Sequence, residues 1–355
     1  MEVKMDDLMS IYDNDIKKKT KNKKRIYNFE LNKMINILNA KEKLEKGNVI
    51  CKYNIFIITK PKCRVIMSQN ITDKLVNHYI AKNILIPKLS KYLDNRNCAT
   101  RKDMGLSYAF NMFKDYFRIF NIKYNNFYIL KIDISKYFYS INHKVLKSLL
   151  ISKLNEEEYD LISKVIDSTN YNYINDNIIK LRDKYNLKDI PLYKDGVGLS
   201  LGLMTNQFLA IFYLHKLHHY MVHNLKLKYF IIYMDDYYIV HYDKKYLYEC
   251  LDKIKYILDN EYKLKINLQK TKVVSIYEGV SFLGFRFKKV NNKIKINILY
   301  SSIYRIKKRV KEVKYLLVNN KIPIGRAYSS INGYLNRYNY DKDKIKKIVD
   351  YYFKE

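Results

Sequence analysis

The chain has 355 residues, with 67 Lys or Arg against 35 Asp or Glu, a formal charge of +32. Hydrophobic residues supply 48% and charged residues 29%, enough apolar matter for a core of roughly two to three domains, which excludes a largely disordered chain. An excess this basic predicts a polyanionic partner bound through phosphates, and 4 cysteines without a CxxC spacing exclude a disulfide framework and a zinc site.

With only 9 Gly and 4 Pro, long elements and few tight hairpins are expected. The opening MEVKMDDLMS lacks the apolar stretch of a signal peptide, and Phe208–Leu214 is far short of the roughly 20 residues that span a bilayer. A cytoplasmic protein with no membrane contact is therefore expected. Lys17–Arg25, with seven Lys or Arg in nine residues, reads as a flexible or phosphate-contacting arm.

Helical periodicity covers residues 30–48 and 70–95, where Leu75, Val76, Tyr79, Ile80 and Ile84 share a face. Residues 127–134 read as a short buried strand, 142–170 as a helical pair, and 205–224 as one apolar helix. Residues 228–243 predict two strands around a turn, 245–261 an amphipathic helix, and 264–276, 280–288 and 293–298 further strands. Near the end, Ile303, Ile306, Val310, Val313 and Leu317 recur at helical spacing while Arg305, Lys307, Lys308, Arg309 and Lys311 fill the other faces. Such a helix is either solvated or grips a duplex. The 37 tyrosines could stack on bases, but most fit a bias that raises Tyr, Asn, Ile and Lys together.

The carboxylates are more specific. Asp133 ends an apolar run, Phe127–Ile132, where a carboxylate is costly unless it is paired or binds a metal. Asp235 and Asp236 stand side by side at the apex of two apolar runs, Tyr229–Ile232 and Tyr237–Val240. Adjacent like charges repel there, and a divalent cation relieves them. A hairpin turn alone would accept Asp-Asp. A third Asp on a second buried strand points instead to two Mg²⁺ ions, one activating a primer 3′-hydroxyl and one stabilising the departing pyrophosphate.

YMDD at 233–236, between hydrophobic strands, resembles the catalytic motif of reverse transcriptases. KIDISKYFYSINHKVL (131–146) resembles the first palm motif, with Asp133 as a metal ligand and Phe138 in the place of the bulky gate that excludes a ribose 2′-hydroxyl. GLSLGLMTNQFLAIFYL (198–214) resembles the helix that supports the template base, and LKINLQKTKVV (264–274) the next palm motif. Within the latter, Lys270 is either a general acid for pyrophosphate or a surface lysine. GVSFLGFRF (279–287) looks like the primer grip, carried by Phe282, Leu283 and Gly284. Upstream, RVIMSQNITDKLVNHYI (64–80) and NCATRKDMGLSYAF (97–110) resemble finger motifs. Arg101 matches the contact to the nucleotide triphosphate, Lys102 is a weaker counterpart, and Arg64 is a second clamp or a salt-bridge partner.

The resemblance implies an α/β (α+β) right-hand polymerase: a basic N-terminal extension with a helix (1–48), fingers (49–126), a palm (127–298) with a helical insertion at about 142–190, and a helical thumb (299–355). It implies an RNA template, an RNA/DNA heteroduplex gripped by Arg305, Lys308 and Arg309, and dNTPs as substrates. No RNase H or nuclease domain is expected.

Where many reverse transcriptases read Gln-Gly, three residues, then Ser-Pro, this chain has Leu201-Gly202, then Leu203-Met204-Thr205, then Asn206-Gln207. Leu in the first slot and Gln207 in the last are similar to the reverse transcriptases of diversity-generating retroelements, which misincorporate opposite template adenines; Asn206 departs from that group's usual Ser. Leu201 cannot donate the hydrogen bond that Gln gives near the nucleotide sugar, so pair geometry should be checked less strictly. That subgroup implies a bacterial or phage-encoded enzyme with a small basic accessory protein. A retron-type or phage-defence reverse transcriptase, and a non-catalytic RNA-binding scaffold, are the rival readings.

Four histidines, His215, His218, His219 and His223, recur along one helix, but without a nearby Cys or carboxylate they read as a polar face or RNA contacts rather than a zinc site. His143 reads as a structural cap, and Glu156–Glu158 as a charged helix face.

Overall fold

Among the described residues, short β-branched and aromatic runs pair into three small sheets, and the longer periodic runs become helices. The computed structural model describes residues 2–49, 52–59, 62–187 and 189–354, the Lys354 side chain excepted. Cys51 lies outside the described residues; Cys63 is exposed, and Cys98 and Cys250 are buried. The chain divides into two units, each assembled from three separate stretches.

The first unit comprises Met1–Thr100, Asp133–Leu227 and Asp252–Asn267. Its N-terminal part is helical, and the basic block is built into it. Asn22 caps the Lys23–Glu30 helix, Lys17 pairs with Glu30, and both Lys19 and Lys82 pair with Asp15. Charge density alone does not reveal these carboxylate partners: where a flexible or phosphate-contacting arm is expected at 17–25, the flexible form gives way to a helix start at Lys23. An antiparallel hairpin, β1 (Asn54–Ile58) and β2 (Arg64–Ser68), packs Val65 and Met67 against Ile174 and Ile178 of the Asn172–Tyr185 helix. At Glu156–Asp167, the acidic triplet forms the first turn, with Asn155 and Glu158 closing a reciprocal cap that satisfies orphan amides.

The apolar helix expected over 205–224 is two helices, Met204–Tyr213 and His215–His223, meeting at Leu214. The His215 ring turns back onto the Phe212 carbonyl at 2.8 Å and stacks on the Phe212 ring. That local bond competes with the helical ladder and marks the break. Among the described residues, no His, Cys, Asp and Glu side chains gather in threes as an ion site.

Burial pushes His78 and His215 down to about 4 and His218 to about 3. The unfolded chain, with histidines near their ordinary value of about 6.5, then binds protons that the folded chain refuses. Stability from these groups is complete above about pH 6.5 and declines below it, by about 2 kcal/mol at pH 5 for His218 alone. Thermal melts from pH 7 to pH 5 should therefore show a falling Tm, and His218→Leu should flatten the slope.

The second unit comprises Arg101–Ile132, Lys228–Leu251 and Leu268–Glu355. Its four-stranded sheet contains β3 (Tyr128–Asp133, whose last residue counts with the first unit), β4 (Phe230–Tyr233), β5 (Asp236–His241) and β6 (Lys272–Ser275), in the order β4-β5-β3-β6. A three-stranded antiparallel meander follows: β7 (Val280–Phe282), β8 (Phe285–Val290) and β9 (Lys293–Ile298). The Leu106–Lys123 helix presents Phe110, Phe113, Phe117 and Phe120 as one apolar stripe. Phe113 lies 4.6 Å from Phe282 and Phe110 4.6 Å from Phe285, ring centre to ring centre. Burying a phenylalanine contributes about 1.5–3 kcal/mol, so this stripe anchors the meander.

One strand expectation shrinks. Of residues 264–276 only Lys272–Ser275 is a strand, because the preceding stretch is held by the single Ile134–Ile266 bridge and backbone bonds such as Asn267 N–H to the Asp133 carbonyl. Tight hairpins are also commoner than the glycine count predicts. Met234, Leu283 and the Asn291-Asn292 pair take positive φ, and Asn tolerates that region by local hydrogen bonding. The C-terminal stretch forms helices Tyr300–Val318, Ile324–Arg337 and Lys342–Lys354. Ile306, Val310 and Val313 are buried as the spacing requires. No helix is long and apolar enough to cross a membrane among the described residues.

Candidate active site

In the second unit, β4 and β5 pair from Phe230↔Ile239 to Tyr233↔Asp236, so the two-residue turn Met234-Asp235 sits at the apex. The flanking side chains Ile231, Ile232, Tyr237, Tyr238 and Ile239 are buried, which fixes the register and leaves Asp235 and Asp236 half-buried at the exit of an apolar ladder. Met234 holds φ at +59°, a conformation that costs a non-glycine residue about 1–3 kcal/mol and clusters at functional sites. Lys131 of β3 approaches, its Nζ 3.5 Å from Asp236 Oδ1 and 5.4 Å from the Tyr238 ring centre. Sequence reading missed this lysine. The signal was there: residues two apart on a strand share a face, so Lys131 lies on the face of Asp133.

Lys270 is exposed and, with Lys131, Gln269, Lys272, Ser281 and Arg286, lines a groove of about 390 Å³. Three lysines and an arginine around one concavity suit an anion, although Glu278 also lines it. Ser281 belongs to β7, and its carbonyl accepts from the Tyr238 hydroxyl at 3.1 Å, tying the Asp hairpin to the next turn. Phe282 is buried there, while Leu283 and Gly284 form the turn with φ of +49° and +97°. Arg101 and Lys102 lie on the loop before the Leu106 helix, with Lys102 exposed. Arg305, Lys308 and Arg309 share the Tyr300–Val318 helix. Arg305 bonds back to Ser301 and Ser302, Arg309 reaches Ser330 and Glu312, and Lys308 is exposed.

In the first unit, Asp133 is half-buried and its carbonyl accepts from Asn267 N–H at 2.7 Å. Phe138 is half-buried on the short helix Tyr137–Ser140, which follows Lys136 in left-handed conformation. The Leu201 carbonyl accepts from Met67 N–H of β2 at 2.8 Å. Gly202, with φ of +122°, approaches so closely that a Cβ there would lie 2.5 Å from the Met67 carbonyl oxygen. Asn77, buried on the Ile71–Tyr79 helix, accepts from Met204 and Thr205 N–H and donates to the Thr205 hydroxyl, capping the next helix from outside its own sequence. Gly202 and Gln207 line one cavity together with His78 and Thr100. Arg64 is exposed at the start of β2, opposite Ile58. Asn142, not His143, caps the His143–Leu150 helix, through its bond from Val145 N–H.

Comparison with known proteins gives one family match, to the model of reverse transcriptase (RNA-dependent DNA polymerase), over residues 44–287. No curated protein matches the sequence. Solved structures similar to the chain include apo telomerase from Candida tropicalis truncated from its C-terminal domain, at 15% identity and TM-score 0.47, covering 68% of this chain and 54% of that one. Telomerase from Candida albicans, in complex with the TWJ fragment of telomeric RNA, is 16% identical with TM-score 0.45, covering 84% of this chain and 56% of that one. The chain spans about half the length of these structures.

Proposed function

Because the chain belongs to the reverse transcriptase family, with the right-hand polymerase fold, we propose that it is an RNA-directed DNA polymerase adding dNTPs to a primer 3′-end on an RNA template. The observation that carries this reading is the strained hairpin that holds two adjacent carboxylates at the mouth of an apolar sheet, inside the matched region. Fingers, palm and thumb follow the divisions 49–126, 127–298 and 299–355, after the basic extension 1–48.

Asp133, Asp235 and Asp236 are the ligands of Mg²⁺. They fit it: all are hard oxygen donors, and Mg²⁺ favours one or two carboxylates completed by substrate phosphates over a closed protein cage. Two bound ions supply charge neutralisation at the attacking and leaving oxygens. Arg101, Lys102 and Arg64 bind the triphosphate, and Lys270 moves a proton to the pyrophosphate. Phe138 excludes the ribose 2′-hydroxyl. Leu201, Gly202 and Gln207 border the nascent pair. Phe282, Leu283 and Gly284 support the primer end, and Arg305, Lys308 and Arg309 hold the heteroduplex by its phosphates.

The finer assignment is to a diversity-generating retroelement, supported by Leu201 and Gln207 in the template-helix slots. It brings error-prone copying opposite adenines and a small basic accessory protein. A dNTP at about 100 times its dissociation constant should stabilise the chain by about 2.7 kcal/mol, and only when Mg²⁺ is present. Thermal shift checks this; stabilisation that ignores Mg²⁺ and dNTP would favour a non-catalytic RNA-binding scaffold. Sequencing the products separates the subgroups, because accurate copying of adenines would move the biology to a retron-type or phage-defence enzyme.

A further inference from the structure

Two segments far apart in sequence are laced together in the first unit. Leu199 N–H donates to the Phe138 carbonyl at 2.7 Å, Gly198 N–H to Ile141 at 2.8 Å, and His143 N–H to Gly196 at 2.9 Å. This short ladder joins the segment that carries Phe138 to the one that leads into Leu201 and Gly202. Its middle rung is unusual. Gly198 has φ of +105°, and a Cβ there would lie 2.8 Å from the Tyr193 ring, which itself packs 4.8 Å from Tyr139. The glycine conformation turns the Gly198 carbonyl inward, where it needs donors.

The His143 side chain supplies one. It is 2% exposed, with Nε2 2.8 Å from the Gly198 oxygen and Nδ1 3.2 Å from Asp167 Oδ1. A carbonyl can only accept, so Nε2 carries the proton. The Thr169 hydroxyl donates to the same oxygen at 2.8 Å, and Lys147 holds the other Asp167 oxygen at 2.5 Å. Lys147, Asp167 and His143 thus form a chain of contacts that ends on one backbone carbonyl.

We propose that His143 is a positioning residue for sugar selection: by clamping the Gly198 carbonyl it fixes the ladder, and through it the Phe138 ring, at the 2′-position of the incoming nucleotide. The inference rests on the polymerase reading above. Phe138 is half-buried, its ring centre 6.0 Å from that of Tyr137, and its own carbonyl is a rung of the ladder, so a shift of the ladder moves the ring. A gate that works by steric exclusion is sensitive to displacement, and misplacement by about 1 Å can change rates about 100-fold.

The test measures kcat/KM for a dNTP and for the matching rNTP, in the unaltered chain and in His143→Leu, His143→Gln and Thr169→Val. Their ratio does not depend on the fraction of protein that is folded. His143→Leu should lower discrimination against rNTPs about tenfold, the size expected for one lost buried hydrogen bond. Gln places an amide N–H near the Nε2 position and should restore most of the ratio, and Thr169→Val should lower it less. A purely structural role would cut activity or Tm and leave the ratio unchanged, which would overturn the proposal. Failure of the unaltered chain to incorporate dNTPs would overturn the polymerase reading itself, and the inference with it.

Discussion

Replacing Asp235 and Asp236 together with Ala should lower DNA synthesis by at least about 1,000-fold, some 4 kcal/mol of transition-state stabilisation, while RNA binding stays nearly intact. The two effects separate because the residues responsible are different. The carboxylates stand at the apex of a hairpin whose register is fixed by buried Ile231, Ile232, Tyr238 and Ile239, so the fold does not depend on them. Removing them also removes a like-charge repulsion. Polyanion affinity, by contrast, comes from the Lys and Arg excess, and loss of two negative charges can only strengthen it. Filter binding and thermal melts alongside the synthesis assay check this. Equal loss of binding and synthesis would mean that the carboxylates are structural.

Gly202→Ala should be nearly as damaging by a different route. At φ of +122° a side chain is strained, and the added Cβ would lie 2.5 Å from the Met67 carbonyl oxygen and 3.3 Å from Ile66 Cγ2. Neither neighbour can retreat cheaply, since Met67 is fully buried and its N–H is bonded to the Leu201 carbonyl. Strain and overlap together should cost about 3 kcal/mol or more, shifting the template-helix segment and lowering synthesis by at least about 100-fold. Gly325→Ala and Gly333→Ala are the controls. Both lie in a helix with open space around the added Cβ, and each should be neutral or stabilising by up to about 1 kcal/mol. Similar losses at all three glycines would remove the close-approach argument.

The hairpin at 233–236 was legible because two short, continuous apolar runs with adjacent aspartates between them are a local pattern. The same holds for the stripe Ile306, Val310 and Val313. What escaped was set by partners distant in sequence. Lys131 meets Asp236 across the sheet, His143 reaches Gly198, and Asn77 caps a helix that begins at Met204. The break at Leu214 escaped for another reason: helical propensity is strong on both sides, and the His215 bond to Phe212 that marks it is too short-range to alter periodicity. The positive-φ position of the first tight turn is Met234 rather than glycine, so the glycine count understates the number of such turns.

Primer extension by the purified protein, on a defined RNA template with a DNA primer, Mg²⁺ and dNTPs, tests the central claim most directly. The account predicts DNA product that requires the template, Mg²⁺ and dNTPs, and that vanishes in the Asp235→Ala, Asp236→Ala variant. Product that persists undiminished in that variant would contradict it.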